Sequence, residues 1–95
     1  MQRGRSSVSL SDLMGAGLLR PGQELCFRHS GEVAVVTDSG ALRLRGNEYH
    51  SPSTAGQVIT GGPNLNGWMA WYVTSDGERA SLATLRARLL EAWGQ

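Results

Sequence analysis

Apolar residues along this chain follow two rhythms, one helical and one alternating. Leu10, Leu13 and Met14 recur at helical spacing, with Ser9 and Asp12 placed ahead of them as a capping box. Gly15 weakens this first helix, Gly17 ends it in a left-handed cap, and Pro21-Gly22 turns the chain. Glu24 to His29 then alternates, with Leu25 and Phe27 on one face and Cys26 on the other. Ser30-Gly31 is a hairpin signal, and the valine-rich run Glu32 to Thr37 is the returning strand. After the turn Asp38-Ser39-Gly40, Ala41 to Arg45 alternates again, with Leu42 and Leu44 inward and Arg43 and Arg45 outward. These three runs form an antiparallel meander with one solvated face.

Gly46-Asn47 reads as a further turn leading into Glu48-Tyr49. Ser51 caps a short helix over Ser53 to Thr60, with Pro52 at its first position, and Gly61-Gly62-Pro63 stops it. Asn64 to Gly67 is a polar loop, and Trp68 to Thr74 reads as a last strand closed by Ser75-Asp76-Gly77. Ser81 caps a final helix, whose Leu82, Leu85, Leu89, Leu90 and Trp93 mark one face. The order is helix, three strands, short helix, strand, helix. It predicts an α+β fold: a small curved antiparallel sheet, a three-stranded meander plus a fourth strand, packed by an N-terminal, a short middle and a C-terminal helix. Residues 1–7 read as a disordered arm and 8–95 as a single domain.

Length limits the chemistry. A chain of 95 residues buries only about 60–65% of its unfolded surface, too little for one core and a deep cleft together. The net charge is +1 and all nine basic residues are arginine. Any anion site must therefore come from local clustering, although the arginine fork suits phosphates and guanine edges. The lone cysteine, Cys26, fits a reducing cytoplasm. No apolar run is long enough to span a membrane, and no apolar segment follows Arg3 and Arg5 to make a signal peptide.

No catalytic constellation emerges. Cys26 and His29 have the spacing of half a zinc site, but no second Cys/His pair exists, and a Cys26–His50 pair lacks an orienting third group. Carboxylates sit singly in turns and helix starts. Gly61-Gly62 closes a helix rather than opening one, and no lysine follows, so a phosphate loop is excluded. The expectation is a non-enzymatic chain with no metal and no cofactor.

Two features carry functional weight. Arg43 and Arg45, with Arg28 on a neighbouring strand, form either a solvated sheet face or a phosphate-contacting stripe. Tyr49-His50-Ser51-Pro52-Ser53 and Asn66-Gly67-Trp68-Met69-Ala70-Trp71 are either structural or a base-reading surface. In a strand Trp68 and Trp71 would point to opposite faces, so one indole would lie outside the core. Trp68, beside Gly67, is the one expected to be needed for folding, and Trp71 the one expected to face a ligand.

These two blocks, with Leu10-Ser11-Asp12-Leu13 and Gly17-Leu18-Leu19-Arg20-Pro21-Gly22, resemble the RAMA (restriction enzyme and adenine methylase associated) domain over roughly Val8 to Leu90. Together the Ser-Pro-Ser and Asn-Gly-Trp-x-x-Trp blocks are specific; either alone is weak. The resemblance implies a DNA-reading module associated with modified adenine, with Tyr49, Ser51, Pro52, Ser53, Asn66, Gly67, Trp68 and Trp71 at the motif positions. The chain departs from the family where Thr54, Ala55 and Gly56 stand in place of small alanines, so that Gly56 should loosen the short helix. These 95 residues include no effector domain, so the expectation is a stand-alone reader, a fragment, or a subunit that recruits a partner.

The leading expectation is a reader of N6-methyladenine-type double-stranded DNA at the nucleoid. Arg28, Arg43 and Arg45 would contact phosphates. Ser51, Ser53, Asn66, Trp68 and Trp71 would lie near the bases, and an effector protein would act in trans. The rival is an adaptor or dimerisation domain, its face formed by Leu89, Leu90 and Trp93.

Overall fold

The computed structural model describes residues 8–62, 65–75 and 77–94; the expected arm over 1–7, and Pro63, Asn64 and Asp76 of the expected turns, lie outside them. The first helix, α1 (Leu10–Gly15), begins with the capping box: the Ser9 hydroxyl accepts from the Asp12 amide, and the Asp12 carboxylate accepts from the Ser9 amide at 2.9 Å. Leu10 and Leu13 are buried on its inner side. Beyond Gly17 the chain folds back, with the Leu18 amide donating to the Leu13 carbonyl at 2.9 Å.

The sheet has six strands, all antiparallel to their neighbours. They are β1 (Glu24–Phe27), β2 (Val33–Val36), β3 (Leu42–Leu44), β4 (Asn47–Tyr49), β5 (Trp71–Ser75) and β6 (Glu78–Ser81), in the spatial order β4-β3-β2-β1-β5-β6. The meander and the fourth strand are those the alternation predicts. Two strands, β4 and β6, are additional.

Leu44 pairs with Asn47 across a two-residue turn, Arg45-Gly46, where φ is +54° and +84°. That doubly positive geometry is the one a twisted hairpin requires, and glycine adopts it without steric cost. The turn therefore lies one residue earlier than the expected Gly46-Asn47, and Asn47 becomes strand. The second addition, β6, runs back along β5 before the final helix.

The other correction concerns the expected strand Trp68 to Thr74. Its first three residues belong instead to a single helical turn, α3 (Gly67–Ala70), that opens directly into β5. Asn66 caps that turn, its side-chain oxygen accepting from the Trp68 amide at 3.1 Å. An asparagine cap can nucleate one turn inside an apolar run, and alternation counting does not detect it.

Strand residues alternate between two unlike faces. Leu25, Phe27, Ala34, Val36, Leu42, Leu44, Trp71 and Val73 are buried. They meet the inner residues of α1, of α2 (Pro52–Thr60) and of α4 (Leu82–Trp93) in one core. The opposite face carries Glu24, Cys26, Val33, Val35, Arg43, Tyr72 and Thr74, all exposed or half-buried. Leu82, Leu85 and Leu89 of α4 are core residues, so Leu89 belongs inside and not on an outer dimer face. Trp93, by contrast, is 46% exposed.

Gly56 also departs from expectation. It is buried, and a Cβ there would strike the Leu65 side chain and approach Phe27. The missing side chain permits close packing, which offsets the helix-loosening effect of glycine. No helix of the described residues is long and apolar enough to cross a membrane.

Candidate nucleic-acid interface

The two sequence blocks singled out above are distant in the chain and locked together in space. Ser51 caps α2, its hydroxyl accepting from the Thr54 amide, and Pro52 occupies the first turn, where a missing N–H costs nothing. The next residue turns its hydroxyl elsewhere: Ser53 Oγ accepts from the Gly67 amide at 3.0 Å. The Trp71 indole Nε1 donates to the Pro52 carbonyl at 3.0 Å, in a buried bond. Gly67 lies so close to α2 that a Cβ would collide with the Pro52 carbonyl and the Ser53 amide. Serine, proline, glycine and tryptophan thus form a clamp that seats α3 on the first turn of α2.

The two tryptophans divide differently from the strand reading. Trp71 is 0% exposed and packs 5.0 Å, ring to ring, from Phe27. Its expected place near a base is corrected: the indole is core, and both its ring and its N–H are already engaged. Trp68 is the half-buried one, with the Arg86 guanidinium stacked over its ring at 4.8 Å. The reason is local. With Gly67–Ala70 helical, the two indoles stand on a turn and on a strand, so the alternating-face rule does not relate them. Asn66 and Met69, on the same helical turn as Trp68, are exposed.

The expected arginine stripe proves largely self-neutralised. Arg43 stands opposite Glu48 in the ladder and bonds it at 2.7 Å. Arg45 grips Glu32 with two N–H donors, at 2.6 and 2.8 Å. That hydrogen bond holds the Glu32 carboxyl below its usual range and raises the Arg45 guanidinium further above its own. Arg28 is exposed just past β1, where its backbone amide donates to the Ala70 carbonyl at 2.8 Å. The three arginines therefore do not make one stripe of uncompensated charge.

Of the remaining sequence candidates, Tyr49 is half-buried against the core and His50 is exposed. Cys26 Sγ lies 3.6 Å from the Gly31 carbonyl, and His29 stands edge-on to Phe27. Among the described residues no three His, Cys, Asp or Glu side chains gather to hold a metal ion.

Sequence reasoning missed Arg86, which flanks the leucine stripe of α4 and reaches Trp68 only through the tertiary fold. It also missed Arg20 and Arg88, which approach one cleft from opposite ends of the chain. Spacing along the chain gives no signal for contacts of this kind.

The family model described as Restriction Enzyme Adenine Methylase Associated, RAMA, matches residues 1–95, the whole chain. The chain belongs to that family, and the description links it to restriction and adenine methylase systems.

Proposed function

We propose that this RAMA-family chain is a non-catalytic DNA-binding module that reads modified DNA of the N6-methyladenine type. The observation that carries the reading is Trp68. Its indole stands on a clamped helical turn, half-buried against the core, with the Arg86 guanidinium over its ring at 4.8 Å. An indole whose cover is a guanidinium offers a flat apolar surface to a base or a methyl group, while the arginine can move to a phosphate. Asn66, exposed beside it, uses its side-chain oxygen in the cap and keeps its NH₂ as a donor able to address an acceptor on a base edge.

The discrimination expected from such a surface is modest. Burying one methyl group gives about 0.8 kcal/mol, roughly fourfold in affinity, and dispersion against an indole adds a few tenths more. Methylation also removes one donor hydrogen from the exocyclic nitrogen, which opposes the gain wherever an acceptor needed it. The expected preference is about four- to twentyfold over unmodified duplex, on top of general, salt-sensitive binding.

The test is a titration of the chain against matched duplexes, with and without N6-methyladenine, at two salt concentrations. Trp68→Ala should retain general binding and lose the preference. Equal wild-type affinity for both duplexes in several sequence contexts would sink the modified-adenine reading. An absence of DNA binding at low salt would favour an adaptor instead. The uncovered sheet face, where Val33 is 46% exposed beside half-buried Val35, Cys26 and Tyr72, supports that second reading.

A further inference from the structure

A hollow in the described surface lies away from the motif clamp. It is a cleft of about 540 Å³ between the segment that follows α1, the β6 edge and α4. Leu18, Val73 and Leu85 contribute its apolar part, and Arg20 and Arg88 line it from two separate elements. Neither arginine forms an ion pair among the described residues, unlike Arg43 and Arg45 at the other end of the sheet. The Gln23 side-chain oxygen accepts from the Arg20 amide at 3.0 Å, so the Gln23 NH₂ remains as a neutral donor. Arg79 borders the cleft from the edge strand, its guanidinium 5.6 Å from the Tyr72 ring on the open face. One carboxylate, Glu78, also lines the cleft.

We propose that this cleft is the phosphate-binding site of the module, and that Arg20 and Arg88 contact the DNA backbone there. Among the described residues no carboxylate is bonded to either guanidinium, so a phosphate entering the cleft displaces no internal ion pair. The donor set suits a phosphodiester: two arginine forks and an amide NH₂ lining one cleft. Arg43 and Arg45 must first release Glu48 and Glu32 to do the same work, so they are the poorer candidates. Among the described residues Glu78 is the lining carboxylate that opposes an anion in the cleft, and it gives the assignment a signature of opposite sign.

The assignment rests on the DNA-reading proposal, and the experiment separates the two. Duplex affinity is measured across a salt series for the wild type, Arg20→Gln/Arg88→Gln and Glu78→Gln, with circular dichroism confirming the fold of each. The double variant should lose about two units of salt slope, and on the order of tenfold or more in affinity at 0.1 M salt, for methylated and unmethylated duplex alike. Glu78→Gln should bind more tightly than the wild type. Wild-type binding with an unchanged slope in the folded double variant overturns the cleft and leaves DNA reading in place. A wild type that binds no duplex overturns both. In a third arm inorganic phosphate is titrated alone. If it saturates the Arg20 and Arg88 side-chain resonances while the variants bind duplex normally, the cleft serves a small anion and the backbone assignment fails.

Discussion

Replacing Trp71 and Trp68 by alanine in turn should give two different proteins. Trp71 is fully buried, bonds the Pro52 carbonyl through Nε1 at 3.0 Å and packs against Phe27 at 5.0 Å. Truncating a buried tryptophan costs about 3–5 kcal/mol through lost transfer energy and the cavity left behind. The Pro52 carbonyl then loses its partner in a dry site, which adds about 1–3 kcal/mol. A domain of this size holds about 5–15 kcal/mol of stability in total, so Trp71→Ala should be marginal or unfolded. Trp68 is half-buried and its Arg86 partner remains solvated when it goes, so Trp68→Ala should cost only about 1–2 kcal/mol. Trp71→Phe separates the two terms for Trp71: it keeps most of the ring and removes the donor, at about 1–3 kcal/mol. Urea denaturation followed by circular dichroism, with m-values compared to verify two-state behaviour, measures all three. If Trp71→Ala proves as stable as Trp68→Ala, the clamp does not hold the core together and the division of roles between the two indoles is wrong.

Three further outcomes follow from the same geometry. Gly67→Ala places a Cβ against the backbone of Pro52 and Ser53, so it should destabilise by about 1–3 kcal/mol; an unchanged melting temperature would show that α3 is not seated on α2. Ser51→Ala removes the α2 cap and should cost about 1 kcal/mol, whereas unaltered melting with abolished DNA binding would place the hydroxyl at the ligand instead. Glu32 should titrate below the usual carboxylate range by NMR, because Arg45 bonds its charged form. A folded-state pKa depressed below that of the unfolded chain gives stability that is present above the unfolded value and is lost as the pH falls through the folded one. Arg45→Met should therefore return Glu32 to its ordinary titration range and flatten this part of the acid-side loss.

Much of the fold is legible because local chemistry and tertiary structure agree. The Ser9–Asp12 box, the Ser51-Pro52 helix start and the Ser81 cap each declare a helix before any packing is considered, and all three are found. Leu25, Phe27, Leu42 and Leu44 alternate because one sheet face is buried, and they are buried. The failures occur where a short-range signal is overridden within a few residues. Arg45 takes a positive φ, uncommon for a side chain of that size, so the turn could not be placed to the residue from composition. Asn66 caps a helical turn that takes Trp68 to Ala70 out of what would otherwise count as a strand. The arginines were legible as residues but not as charges: that Glu32 and Glu48 neutralise Arg45 and Arg43, and that no carboxylate pairs with Arg20 or Arg88 among the described residues, depends on which strands and loops become neighbours.

The clamp also changes what the two motif blocks mean. Ser53, Pro52, Gly67 and Trp71 spend their hydroxyl, carbonyl, amide and indole N–H on one another. Their side-chain types are therefore accounted for by the joint between α2 and α3 before any ligand is considered. Trp68 is different, because the joint uses its backbone amide, through Asn66, and leaves its ring to Arg86. A joint made of direction-specific, buried or part-buried hydrogen bonds is what fixes a neighbouring indole closely enough to distinguish one methyl group, since an energy near 0.8 kcal/mol is lost if the ring has room to turn away. On this argument a softened clamp that still folds, such as Ser53→Ala, should lose methyl preference before it loses general affinity. The backbone contacts that set general affinity would be made at the separate Arg20–Arg88 cleft, so the two properties should respond to different substitutions.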